Sequence, residues 1–145
     1  MISSIDTNVL VYAHNTSALQ HDNASRFIQR VLKSEAGEQL LILHQTLFEL
    51  YAILTNRLIV SKPNHKEAWK VCLYYSSHAA VQTAAYEAAV FPLVRELLEE
   101  NPERGKRFFD LVMAATMKYH GVGRFYTGNE KDFRQYPFLE VINPL

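Results

Sequence analysis

The stretch Met1-Ile-Ser-Ser-Ile-Asp6-Thr-Asn-Val-Leu-Val-Tyr-Ala13 decides the fold class, because it places a carboxylate where a short apolar strand ends. Residues 2–5 can pair in a sheet, and residues 7–13 have the pattern of a helix capped by Asp6 or Thr7. An acid at the carboxyl end of a strand faces the usual ligand crevice of an α/β sheet. The alternative is that Asp6 is only a helix N-cap. It indicates chemistry only if other polar side chains join it.

Two further acids lie within strongly apolar helices. Glu49 is in Thr46-Leu-Phe-Glu49-Leu-Tyr-Ala-Ile-Leu54, and Asp110 is in Phe108-Phe-Asp110-Leu-Val-Met-Ala-Ala-Thr116. Removing an ionised carboxylate from water costs several kcal/mol or raises its pKa, so such acids are usually paired, neutral or metal-bound. A hard divalent cation is the usual compensation.

A fourth polar group follows the apolar strand Val122-Gly-Arg-Phe-Tyr126. It lies in the segment Thr127-Gly-Asn129-Glu-Lys-Asp132-Phe133. Parallel strands bring their carboxyl ends to one edge of a sheet, so this segment and Asp6 should meet there. The sequence therefore predicts a cleft with four oxygen donors.

The remaining pattern alternates between strands and helices, which favours a mostly parallel sheet layered by helices. Predicted strands cover residues 2–5, 39–44, 79–83, 124–127 and 139–142. Predicted helices cover residues 7–13, 21–34, 46–58, 65–77 and 86–100, and a last helix carries Asp110 and ends at His120. The helix over 86–100 is either kinked by Pro92 or begins near it.

Burial predictions follow from the same spacing. In the last helix, Phe109, Val112, Met113 and Met117 should face the core. The helix over 46–58 is apolar almost all round, which implies deep burial. Three aromatic residues of the helix over 65–77 either cover the core or form a surface for self-association: Trp69, Tyr74 and Tyr75.

These motifs, in this order and spacing, resemble the PIN-domain ribonucleases, and among them the VapC-type toxins of bacterial toxin-antitoxin pairs. The resemblance spans nearly the whole chain and implies a three-layer α/β/α fold. It implies that Asp6, Glu49 and Asp110 bind Mg²⁺ or Mn²⁺. The fourth ligand position is Asp132 or Asn129, since many members have an acid where this chain has Asn129.

The reaction implied is metal-assisted hydrolysis of RNA phosphodiester bonds, in which a metal-bound water is the nucleophile. Thr7, Asn8 and Thr127 would orient the ligand carboxylates or the water, or would simply cap a helix. Alternatives to a toxin are a PIN nuclease in RNA processing and a catalytically inactive RNA-binding or signalling module.

Charge is balanced, with 15 basic and 15 acidic residues, so an RNA interface depends on local cations. Lys106 and Arg107 precede Asp110, and Lys131 and Arg134 flank Asp132. These four side chains are candidate phosphate contacts. The alternative is that they are ordinary solvated surface residues.

Length and composition predict a single nuclease domain over residues 1–145, with 48% hydrophobic residues to form one core. The lone Cys72, the missing signal peptide and the short apolar stretches predict a cytoplasmic protein that does not span a membrane. The six histidines have no zinc-binding spacing. The resemblance further implies a homodimer, an antitoxin partner and an RNA substrate such as tRNA.

Overall fold

The computed structural model describes residues 1–33, 37–56 and 63–145. The strands are β1 (Ile2–Ile5), β2 (Gln39–Leu43), β3 (Val81–Ala84), β4 (Val122–Tyr126) and β5 (Glu140–Ile142). The helices are α1 (Thr7–His14), α2 (His21–Leu32), α3 (His44–Leu54), α4 (His65–Ser77), α5 (Val90–Glu100), α6 (Lys106–Tyr119) and the single turn α7 (Glu130–Phe133).

The five strands form one sheet in the order β3-β2-β1-β4-β5, and all the pairings are parallel. The chain builds outward from β1 through β2 to β3, then returns to the other side of β1 with β4. The strand order therefore reverses between β1 and β4, and α/β sheets bind ligands at the carboxyl ends of the strands flanking such a reversal. Asp6 and Thr127 directly follow these two strands.

Helices cover both faces of the sheet. Alternate strand residues point to opposite faces, so each strand contributes side chains to two cores. In β2, Leu40 and Ile42 pack into a core with residues of α1 to α4. Leu41 and Leu43 pack into a second core with residues of α5, α6 and α7. The predicted three-layer α/β/α fold with a central parallel sheet is confirmed.

Several predicted boundaries need adjustment. The helix predicted over 86–100 begins at Val90, so of the two alternatives the start near Pro92 is correct. Pro92 lies in the first turn of α5, where backbone N–H groups lack helical partners in any case. The predicted ends of the second and third helices, at residues 34 and 58, lie outside the described residues, and the short helix α7 was not predicted.

Two burial predictions are wrong. Phe109 is 58% exposed, because it lies in the first turn of α6 and the part of that helix packed on the sheet begins at Leu111. Helix α3 is not buried all round, since Phe48 and Ile53 face outward. For the three aromatic residues of α4 two alternatives were open, and the structure divides them: Tyr75 is buried in the core, whereas Trp69 and Tyr74 are exposed. No helix in the described ranges combines the length and apolarity needed to cross a bilayer.

Candidate functional site

Asp6 is a buried carboxylate that caps α1 and reaches β4. Its Oδ1 accepts a 2.7 Å hydrogen bond from the backbone N–H of Thr7. Its Oδ2 accepts bonds from the Thr127 hydroxyl at 2.6 Å and from Asn8 Nδ2 at 3.0 Å. Burial, with a smaller contribution from the Glu49 carboxylate, raises the pKa of Asp6 to about 6, although these hydrogen bonds oppose the rise. Asp6 therefore caps α1 and at the same time contacts the residue that follows β4.

The polar residues that follow β1 and β4 are joined to each other. Thr127 is completely buried, and its hydroxyl accepts a 2.9 Å bond from the backbone N–H of Asn129 while it donates to Asp6. Asn8 Oδ1 accepts a 3.1 Å bond from the backbone N–H of Gly128. Thr7, Asn8 and Thr127 thus orient the first carboxylate and fix the distance between the two strand ends.

Glu49 reaches this group of polar residues from α3. Its Oε2 accepts a 2.7 Å hydrogen bond from the Thr7 hydroxyl, and its Oε1 accepts a 2.9 Å bond from Gln45 Nε2. The Tyr86 hydroxyl in turn donates to Gln45 Oε1. Burial and the Glu49 charge raise the pKa of Tyr86, so its hydroxyl stays protonated and remains a donor at neutral pH.

Neither Gln45 nor Tyr86 was predicted from the sequence to lie beside Glu49. For Gln45 a signal exists, because a residue four positions before a helical acid lies on the same face. No comparable signal marks Tyr86, which approaches from the segment between β3 and α5.

Asp110 lies half-buried on the second turn of α6. Burial and the charges of Asp6, Asp132 and Glu49 together raise its pKa to about 6, although Arg107 opposes the rise. Like charges raise a carboxyl pKa only when they are close, so all four predicted acids share one electrostatic environment. They come from α3, α6, α7 and the end of β1.

Asp132 and Asn129 form one unit. Asn129 Nδ2 donates a hydrogen bond to Asp132 Oδ2, and Arg107 lies 3.4 Å from Asp132 Oδ1. Arg107 also lies 3.4 Å from a Glu103 carboxylate oxygen. A carboxylate accepts only, so Asn129 presents its nitrogen to Asp132. In this arrangement the amide of Asn129 orients the carboxylate of Asp132.

The four predicted phosphate contacts differ in their surroundings. Lys106 and Lys131 are exposed. Arg107 is engaged with Asp132 and Glu103, and Arg134 pairs with Glu130 at 2.8 Å. The arginine nearest the acids is therefore Arg107.

Across residues 1–33, 37–56 and 63–145, no three His, Cys, Asp or Glu side chains are already grouped closely enough to hold a metal ion. The carboxylates of Asp6, Glu49 and Asp132 instead accept the hydrogen bonds described above. The donor set still suits a hard cation, because all of its members are oxygen ligands and their mutual repulsion raises the pKa of Asp110.

Both the sequence and the fold of this chain are similar to those of known proteins. Residues 4–139 match the PIN domain. Ribonuclease VapC24 of Mycobacterium tuberculosis is 32% identical over 146 residues, covering 98% of this chain and 96% of that protein. Two solved structures resemble the fold over 99% of this chain and 98% of theirs. They are VapBC2 from Rickettsia felis bound to a promoter DNA fragment (TM-score 0.69, 20% identity) and a toxin-antitoxin complex from Klebsiella pneumoniae (TM-score 0.64, 17% identity).

Proposed function

Because this chain belongs to the PIN-domain family, we propose that it is a metal-dependent endoribonuclease and the toxin of a bacterial type II toxin-antitoxin pair. One observation carries the proposal: four acids from distant parts of the sequence converge where the strand order of the sheet reverses, and three of them raise the pKa of the fourth. Such mutual perturbation in a cleft is typical of functional sites.

Asp6, Glu49 and Asp110 are the proposed ligands of Mg²⁺ or Mn²⁺, with Asp132 as the fourth. A divalent cation bound there would lower the pKa of a water molecule and neutralise charge that develops on the scissile phosphate. The hydrogen bonds of Asp6 and Glu49 restrict both carboxylates before any ion binds. Thr7, Asn8 and Thr127 thus serve as supporting residues that keep the ligand oxygens oriented.

Asp132 can join the ligands if its contact with Arg107 loosens. Arg107 is 54% exposed in its side chain, so its guanidinium can turn toward a phosphate at little cost. We place Arg107 and Lys106 as the first phosphate contacts, followed by Lys131 and Arg134. RNA is the proposed substrate, and structured RNA such as tRNA is the first class to test.

Two protein partners belong to the proposal. An antitoxin is supported by the structural likeness to a toxin-antitoxin complex. A homodimer is supported by an apolar cavity of about 350 Å³, lined by Tyr86, Phe91, Phe108 and Phe109 among others, whose rim leaves Phe91 83% exposed. Exposed apolar patches of this kind mark protein contacts.

The deciding experiment incubates purified, antitoxin-free protein with total cellular RNA in Mg²⁺ or Mn²⁺, and in EDTA. Asp110→Asn, purified in parallel, controls for contaminating nucleases. Discrete products that need metal and are absent with Asp110→Asn are expected. Folded protein that binds Mn²⁺ but cleaves no RNA would instead favour an inactive RNA-binding module.

A further inference from the structure

We infer that Gln45 and Tyr86 are positioning residues, which hold the Glu49 carboxylate in the orientation that cation binding needs. This inference rests on the proposed metal site and extends it by two residues. Neither side chain is a proposed ligand. Gln45 acts on Glu49 directly, and Tyr86 acts through Gln45.

Gln45 precedes Glu49 by one turn of α3 and is only 9% exposed. Its Nε2 lies 2.9 Å from Glu49 Oε1 and 3.5 Å from the backbone carbonyl oxygen of Phe109. Both of these partners only accept hydrogen bonds, so the amide must present its nitrogen to them. The orientation of the Gln45 amide is therefore fixed by its neighbours.

Tyr86 contacts the oxygen of the same amide group. Its hydroxyl donates to Gln45 Oε1, the atom left over when the amide nitrogen faces Glu49. The ring itself is 58% exposed, so the residue contributes little to the core. The hydroxyl of Tyr86 thus satisfies the amide oxygen of Gln45 in the orientation in which the amide nitrogen donates to Glu49.

The consequence for Glu49 is that both of its oxygens have a fixed donor, Thr7 on α1 and Gln45 on α3. Gln45 also contacts the backbone of α6 one residue before Asp110, so it joins the helices that carry two of the proposed ligands. Without Gln45, Glu49 would have to be ordered when the ion binds. Loss of a hydrogen-bond partner of a metal ligand typically costs about 10–100-fold in metal affinity or activity.

The experiment measures Mn²⁺ binding by calorimetry, and RNA cleavage separately, for wild type, Gln45→Met, Tyr86→Phe and the double variant. Gln45→Met is expected to weaken Mn²⁺ binding about 10–100-fold. Tyr86→Phe, which removes one hydroxyl from an exposed ring, should weaken it roughly 2–10-fold. The double variant should match Gln45→Met alone, because a residue acting through another has no effect once that residue is gone.

Two matched controls separate positioning from general effects. Gln82→Met changes an exposed glutamine of β3, and Tyr119→Phe removes a tyrosine hydroxyl that bonds to Glu87. Both should bind Mn²⁺ as wild type does. Urea unfolding in EDTA verifies that each variant is folded.

Wild-type Mn²⁺ affinity in both folded Gln45→Met and Tyr86→Phe would overturn the inference while leaving the proposed nuclease intact. Independent, additive losses in the double variant would overturn the role of Tyr86 through Gln45. If wild type itself binds no Mn²⁺, the proposed metal site fails, and this inference falls with it.

Discussion

The Thr127 hydroxyl donates a 2.6 Å hydrogen bond to Oδ2 of Asp6, although 121 residues separate them in sequence. The bond joins the ends of β4 and β1, the two strands between which the strand order reverses. It contributes to holding a buried carboxylate in one orientation. The fold itself thus orients the first of the proposed ligands.

Replacing Thr127 with Val removes this bond and keeps the side-chain shape. A hydrogen bond to a charged buried group contributes about 1.5–3 kcal/mol, so the free energy of unfolding should fall by about that amount at pH 8. The bond lowers the pKa of Asp6, so the loss should be smaller at pH 5, where Asp6 is mostly protonated. Urea unfolding at both pH values measures this. Thr127→Ser, which restores the hydroxyl, is the control, and an equal loss at both pH values would contradict the argument.

The metal-free protein should lose stability as pH rises through the titration of Asp6. Burial raises the pKa of Asp6 from 3.8 to about 6, so the folded state binds this proton more tightly than the unfolded state. The contribution of Asp6 is therefore most favourable below about pH 4 and is lost as pH rises to about 6. The shift corresponds to about 3 kcal/mol.

The measurement subtracts the unfolding free energy of Asp6→Asn from that of wild type, in EDTA, from pH 4 to 8. Asn is also a good N-cap, so the variant should fold. The free energy of unfolding of Asp6→Asn, relative to that of wild type, should increase as pH rises from 4 to 6. A difference that does not change with pH would show that Asp6 titrates normally.

Mn²⁺ should stabilise wild type and not its ligand variants. An ion that binds only the folded state raises its stability by RT ln(1 + [L]/Kd), which is about 2.7 kcal/mol at 100 times Kd. Asp110→Asn and Glu49→Gln should lose most of the rise in melting temperature and most RNA cleavage. Glu99→Gln, which alters an exposed acid of α5 paired with Arg95, should keep both. Unchanged turnover in either ligand variant would refute the assigned site.

Asp132 and Asn129 should contribute unequally to cleavage. Asn129 donates its amide nitrogen to Asp132, so Asp132→Ala removes a proposed ligand and Asn129→Ala removes only its support. We expect a loss of about 10–100-fold for Asp132→Ala and of a few-fold for Asn129→Ala. Single-turnover rates at saturating Mn²⁺ test this order. Wild-type rates in both variants would exclude the pair from the site.

The sequence was sufficient for the parallel α/β/α architecture because strand and helix patterns alternate along it. It was sufficient for three of the four acids because Asp6, Glu49 and Asp110 each interrupt an apolar segment at a definite place. It was insufficient for Tyr86, since a tyrosine in a connecting segment disturbs no pattern. Gln45 lies four positions before Glu49 on the same helix face, but this spacing alone does not show that the two side chains are hydrogen-bonded. The prediction that Phe109 faces the core was wrong for a different reason. Helical spacing gives a direction around the helix axis, but it does not show where along α6 the contact with the sheet begins.

The exposed face around Phe91 should be the contact between two copies of the chain. Phe91 is 83% exposed and borders the apolar cavity shared by α5 and α6, so Phe91→Glu should disrupt the dimer without affecting the core. Sedimentation velocity should show a dimer for wild type and a monomer for Phe91→Glu, with the same circular dichroism spectrum. Leu19→Glu is the matched control, because Leu19 is 98% exposed between α1 and α2, away from the cavity, and this variant should stay dimeric. A Phe91→Glu protein that still sediments as a dimer would place the interface elsewhere.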